Sequence, residues 1–101
     1  MPVYPLTLPA TYRDQGFFNV TVEFDRYVRQ DEGPIELVLV VRGVEQRVEA
    51  RVNRTAQTNG TARIMGGAEL RRWFQEHYRV GDLVDVDIRS PDCIRIVAPA
   101  G

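Results

Sequence analysis

The most informative pattern for the architecture lies in residues 62–84, which read ARIMGGAELRRWFQEHYRVGDLV. Residues 61–65 predict a short strand, and Gly66-Gly67 breaks it. The next residues recur at helical spacing and predict a helix over about Ala68–Arg79; its apolar face comprises Leu70, Trp73, Phe74, His77 and Tyr78. Gly81 is typical of a left-handed stop after a helix, and residues 83–88 alternate as a half-buried strand.

The sequence on both sides of this run predicts further short strands. Residues 35–41 are almost continuously apolar, which is typical of a strand covered on both faces. Arg42-Gly43 then turns the chain into the alternating strand 44–53. Residues 4–8, 18–24 and 93–97 predict strands as well, and residues 9–16 a loop or a single helical turn. About seven short strands with one substantial helix favour a mainly β, closed or nearly closed barrel.

Length and composition are ordinary for one globular domain. The chain has 101 residues, of which 44% are hydrophobic and 27% charged. No apolar run approaches the roughly 20 residues of a membrane-spanning helix, and the first residues lack the pattern of a signal peptide. We therefore expect a single domain over residues 1–101 in the cytoplasm, away from membranes. With Cys93 and His77 as the sole cysteine and histidine, the sequence predicts no disulfide, no metal site and no cofactor.

The charge is nearly balanced in total but uneven along the chain. Thirteen arginines and no lysine face 14 acidic residues, for a net charge of −1. Residues 46–79 hold seven arginines against three glutamates, and no acidic residue lies between Arg51 and Arg63. A near-neutral protein can thus present one basic face to a ligand. Arginine suits this purpose because its planar fork fits phosphates and guanine edges.

Few residues are suited to catalysis. His77 lies on the apolar helix face, which favours a core or boundary histidine over a catalytic base. Cys93 opens an apolar strand and is interpreted as a small buried side chain. Asp85 and Asp87 share one strand face about 7 Å apart; such a pair can bind a divalent ion or transfer protons, but a solvated strand face is the better interpretation. We expect no enzymatic activity.

Two polar stretches are the candidates for binding. Residues 51–63 read RVNRTAQTNGTAR and combine three arginines with amide and hydroxyl side chains. These are the groups that pair with phosphates and base edges. Residues 12–19 read YRDQGFFN, and alternation points Phe17 outward, unless this is an ordinary loop with Phe17 packed on a neighbour.

The order of these elements resembles a known family. Residues 62–74 and 78–84 are similar to the C-terminal half of the plant B3 DNA-binding domain, in which a strand leads through a glycine turn to a helix with a Trp/Phe stripe, then to Gly-Asp and a strand. Residues 6–8, 19–21, 35–41 and 44–52 resemble the earlier strands of that domain in order. The arginine usage is closer to the DNA-recognition domains of EcoRII-like and BfiI-like restriction endonucleases, which are bacterial. The resemblance implies a seven-stranded open pseudobarrel of the B3 type.

In that superfamily two loops grip the major groove of double-stranded DNA, and by resemblance they fall on about Thr11–Asn19 and Asn53–Arg63. The resemblance implies a sequence-specific DNA-binding module, the recognition part of a restriction–modification or related defence system. Any nuclease would be another domain or subunit. We expect Arg51, Arg54 and Arg63 to contact phosphates or guanines and Arg13 to anchor the first loop. The other DNA-binding candidates are Gln15, Phe17, Asn19, Asn53, Thr55, Gln57, Thr58 and Asn59.

Two other kinds of function stay open from the sequence. The acidic segment 20–45 and unpaired strand edges suit a protein-interaction or oligomerisation module that binds no nucleic acid. A barrel that binds single strands or RNA needs aromatic side chains exposed on a sheet face. Most aromatic residues of this chain are instead predicted to face the core.

Overall fold

The apolar patterns of the sequence become the strands of one curled, open sheet. The structure, a computed structural model, describes residues 2–99. Its strands are β1 (Val3–Thr7), β2 (Phe17–Asn19), β3 (Gly33–Val41), β4 (Val44–Asn53), β5 (Arg63–Met65), β6 (Leu83–Ser90) and β7 (Cys93–Val97). Its helices are α1 (Ala10–Gln15) and α2 (Gly67–His77), with a 3-10 turn at Asp25–Tyr27. Neither helix has the length and hydropathy of a membrane-spanning segment.

The strand order is β1-β6-β7-β3-β4-β5-β2, and neighbouring strands are antiparallel except for β3 and β7. In the described residues the edge strands β1 and β2 form no ladder with each other. Instead, the hydroxyl of Tyr4 in β1 donates a hydrogen bond to the backbone carbonyl of Asn19 in β2 at 3.1 Å. The predicted mainly β fold, a seven-stranded open pseudobarrel with one substantial helix, is confirmed. The short helix α1 forms where the sequence predicts a loop or a single helical turn.

The two longest strands, β3 and β4, form a hairpin and pair along their whole length. Its turn residues Arg42 and Gly43 have φ values of 50° and 78°. Two positive φ values give the turn the twist that matches the flanking strands. β3 is buried on both faces from Leu37 to Val40, as its continuous apolar run predicts.

Helix α2 packs beside β2 and β4 through the predicted aromatic stripe. Leu70, Trp73 and Phe74 are buried, and the ring of Tyr78 lies 5.3 Å from that of Trp73. The helix ends two residues earlier than predicted, because the following residues form a turn. In that turn the carboxylate of Asp82 accepts a hydrogen bond from the backbone N–H of Arg79 at 2.8 Å.

The predicted strand over residues 18–24 is wrong beyond Asn19. Residues 22–24 form a turn that continues into the 3-10 turn, and Val22 is 65% exposed instead of buried. The carboxylate of Asp25 explains this path, since it accepts hydrogen bonds from the backbone N–H of Ala62 at 2.8 Å and from the guanidinium of Arg54. These contacts hold the segment away from sheet pairing.

Candidate functional site

Strand alternation places five of the predicted binding residues on one outward face. β5 pairs with β4 on one side and with β2 on the other. The outward rows that result are Asn53–Arg63–Asn19 and Arg51–Met65–Phe17. The row between them faces the core, and its three residues are at most 2% exposed. We call this surface the outer face of β4–β5–β2; it combines residues from both polar stretches.

Arg63 connects the two polar stretches directly. Its Nε donates a hydrogen bond to Oδ1 of Asn19 at 2.9 Å, and its guanidinium carbon lies 4.2 Å from the centre of the Phe17 ring. Phe17 also packs against Tyr12, with ring centres 5.1 Å apart, and is only 5% exposed. Phe17 thus lies in the outward row that alternation predicts, but its ring packs on neighbouring side chains, which is the alternative that the sequence left open. Its ring supports the Arg63 guanidinium from below through a cation–π contact.

Arg54 points inward. Its side chain is 13% exposed, and its Nη1 donates to both carboxylate oxygens of Asp25, at 3.0 and 2.9 Å. Nη1 also donates to the carbonyl of Gly60 at 3.1 Å, and Nη2 to the carbonyl of Arg29 at 2.6 Å. The expected contact of Arg54 with a phosphate or guanine is corrected accordingly, because its guanidinium anchors the loop 54–60 to the 3-10 turn.

The amide side chains of this loop shape it through their oxygens. Oδ1 of Asn53 accepts hydrogen bonds from the backbone N–H groups of Thr55 and Ala56, at 2.9 and 3.0 Å, and from the Thr55 hydroxyl. Oδ1 of Asn59 accepts from the N–H and the hydroxyl of Thr61, at 3.1 and 2.8 Å. Such local bonds are what asparagine offers in turns. Asn53 is thus placed as a residue that stabilises the turn.

Arg13 also faces the protein. Its Nε donates to the backbone carbonyl of Tyr78 at 2.9 Å and its Nη2 to that of Gln75 at 3.3 Å. A guanidinium satisfies the free carbonyls at the end of a helix well. Arg13 therefore anchors the first stretch to the C-terminus of α2, whereas its neighbour Gln15 is exposed.

The two polar stretches line one shared groove of about 380 Å³. Tyr12 and Asn19 contribute from the first stretch, and Gln57, Asn59 and Thr61 from the second. Residues 20–23 complete one wall. This wall is not predicted from the sequence, because its path depends on contacts between Asp25 and residues far along the chain.

The predicted site residues still open to solvent are few. Besides Gln15, they are Thr55, Thr58 and Asn59 on the loop and Arg51 on the outer face of β4–β5–β2. Within residues 2–99 the guanidinium of Arg51 forms no hydrogen bond or ion pair, and the two terminal nitrogens of Arg63 form none either. These two arginines are the cations of the site that can meet a ligand.

A larger depression, of about 490 Å³, lies beside β3 and β4, and the described residues that line it belong to neither polar stretch. Its arginines are already paired: Arg47 with Glu36 and Arg29 with Asp31, both at 2.8 Å. The hydrogen bond from Arg29 holds the pKa of the Asp31 carboxyl below its usual range. The depression therefore offers no unpaired cation from these two arginines.

The residues weighed for catalysis lie apart from the groove. The side chain of His77 is 24% exposed, its ring centre is 5.3 Å from that of Trp73, and its Nε2 is 3.9 Å from the Glu76 carboxylate. That separation is too long for a hydrogen bond.

Burial, together with the charge of Glu36, raises the pKa of the Cys93 thiol.

Comparison of the chain with protein-family models, curated proteins and solved structures finds no match.

Proposed function

We propose that this chain is a sequence-specific, double-stranded DNA-binding module whose two polar stretches enter the same major groove. The observation that carries the proposal is that these stretches, separate in sequence, adjoin along β2 and β5 and line one groove. The hydrogen bond between Arg63 and Asn19 fastens them together. A rigid pair of adjacent polar arms is what a duplex groove can accommodate.

In this proposal the candidate residues have two kinds of task. Arg51 and Arg63 contact phosphates or guanines, because their guanidinium groups face outward. Gln15, Asn19, Gln57, Thr58 and Asn59 read base edges, with Thr55 at the loop surface. The other candidates hold the two polar stretches in place; they are Arg13, Phe17, Asn53 and Arg54.

The B3-like order of elements supports the wider setting. The module is the recognition part of a bacterial restriction–modification or related defence system and acts in the cytoplasm. Cleavage is carried out by a nuclease domain or subunit, with no catalytic residue in this chain.

Selection of bound duplexes from a random library tests the proposal. We expect enrichment of one short motif, with log affinity falling against log salt by about 0.9 per phosphate contacted. Arg51→Ala should cost about 1–3 kcal/mol of specific binding if Arg51 pairs with a guanine, or lower the salt slope by about 1 if it contacts a phosphate. Arg72→Ala, at an exposed position of α2 whose guanidinium forms no hydrogen bond or ion pair within residues 2–99, is the matched control. Enrichment of no motif, together with a stable complex with another protein, would favour an interaction module instead.

A further inference from the structure

The groove shared by the two polar stretches has an unusual lining for a site near DNA. In the described part of the chain no arginine side chain lines it. Its polar side chains are amides and hydroxyls, and its one formal charge is the carboxylate of Glu23. A phosphate placed here would meet no cation and one anion. The groove therefore suits the uncharged edge of a base, while Arg51 and Arg63 serve the phosphates outside it.

The groove keeps unused hydrogen-bonding capacity. The Asn19 and Asn59 side chains use their oxygens inside the protein, and Gln57 uses its Nε2 on the Thr61 hydroxyl at 2.7 Å. Two amide NH₂ groups and the Oε1 of Gln57 thus remain for a ligand. Glu23 is exposed, and within residues 2–99 its carboxylate forms no hydrogen bond or ion pair.

An unpaired carboxylate beside a duplex is repelled by the phosphates, and a hydrogen bond donated by a base can offset this repulsion. In the major groove cytosine presents an amino donor at N4, guanine presents two acceptors, and adenine places the acceptor N7 beside its amino group. A carboxylate, which only accepts, fits cytosine best. We propose, on the basis of the proposed function, that Glu23 is a specificity-determining residue. Its carboxylate accepts a hydrogen bond from N4 of a cytosine whose edge faces the protein groove shared by the two polar stretches.

Duplex selection with three proteins tests this assignment: the wild-type chain, Glu23→Gln and Glu45→Gln. The control Glu45 is an exposed carboxylate on β4, about 26 Å along the strand from Asn53. We expect the wild-type motif to contain a cytosine whose preference over adenine falls about tenfold in Glu23→Gln, because glutamine also pairs with adenine. Affinity for mixed-sequence DNA should rise in this variant, since one anion is removed. Glu45→Gln should match the wild type in both respects.

A folding defect would lower all binding, whereas this change alters one position of the motif and raises non-specific affinity. If the wild type selects a motif and Glu23→Gln selects the same motif with the same preferences, the assignment of Glu23 to cytosine recognition is wrong. The DNA-binding proposal is then still supported. If the wild type selects no motif, both proposals are wrong.

Discussion

Arg51 and Arg54 belong to the same polar stretch, but their guanidinium groups meet different surroundings. Arg54 is 13% exposed and its partner Asp25 18%, so their ion pair is largely shielded from water. Removing one member of such a pair leaves the other charge without compensation. Arg51 stands on the outer face of β4–β5–β2, where water solvates it.

The first prediction compares these two arginines. We expect Arg54→Ala to lower the free energy of unfolding by about 3 kcal/mol, because Asp25 loses its cation. Arg51→Ala should stay within about 0.5 kcal/mol of the wild type. Urea denaturation followed by the fluorescence of Trp73 measures both. Equal stability of the two variants would contradict the internal role of Arg54.

The second prediction concerns Cys93. Burial is the main cause that raises the pKa of its thiol, and the Glu36 carboxylate, 3.8 Å from Sγ, adds to it. Less thiolate is then present at a given pH, so Cys93 should react with a disulfide reagent more slowly than a free cysteine at pH near 8. Glu36→Gln should speed the reaction because one anion is removed. A slower or unchanged rate in this variant would contradict the role of Glu36 in raising the pKa of the thiol.

At the scale of elements, α1 and α2 meet through the backbone of Gly16. Its carbonyl accepts hydrogen bonds from the N–H groups of Gly66 and Gly67, at 3.0 and 3.1 Å. Its φ is +76°, and an added Cβ would lie 2.2 Å from the carbonyl oxygen of Gly67. Conformation and close approach both require glycine here. This contact sets the position of the first polar stretch against α2.

The third prediction separates those two requirements. Gly43 has a similar φ of +78° but no heavy atom within 4 Å of an added Cβ. Gly43→Ala should therefore cost only the conformational part, about 1 kcal/mol. We expect Gly16→Ala to lower the free energy of unfolding by at least about 2 kcal/mol, because the helices must also move apart. If thermal or urea denaturation shows the same loss in the free energy of unfolding for both variants, the close approach of Gly16 to Gly67 does not contribute to the cost.

At the scale of the whole molecule, two tyrosine hydroxyls join distant parts of the barrel. Tyr4 bonds to the carbonyl of Asn19 across the open edge, and Tyr78 donates to the carbonyl of Val97 in β7 at 3.2 Å. Burial raises the pKa of both tyrosines well above the usual 10.0. Each hydroxyl therefore stays a donor in the folded state at a pH where it ionises in the unfolded chain.

The fourth prediction is that stability falls as the pH rises above about 10. There the unfolded chain releases protons that the folded chain retains, so the free energy of unfolding decreases. Lysine and arginine do not contribute in this range, since the chain has no lysine and arginine stays protonated. Circular dichroism should change together with the tyrosinate absorbance of Tyr4 and Tyr78, measured as the difference between the wild type and the double variant Tyr4→Phe/Tyr78→Phe. The stability of that double variant should depend less on pH. Ionisation of Tyr4 and Tyr78 before any loss of structure would refute the prediction.

Local patterns suffice for most of the secondary structure. β4 runs from Val44 to Asn53 as the alternation predicts, because successive side chains of a strand point to opposite faces. The predicted strand over residues 18–24 fails where contacts of Asp25 with Ala62 and Arg54 outweigh local preference.

The patterns within the chain are thus enough to predict the mainly β barrel and the two polar stretches. That residues of both stretches share one face follows from the pairing of β5 with β4 and β2. The patterns do not reveal which arginines remain free for a ligand. Arg54 and Arg13 find acceptors 29, 62 and 65 residues away in the chain, and folding alone brings these within hydrogen-bond distance. A guanidinium binds an internal carboxylate or carbonyl by the same chemistry as an external phosphate, so the three-dimensional neighbourhood selects between them.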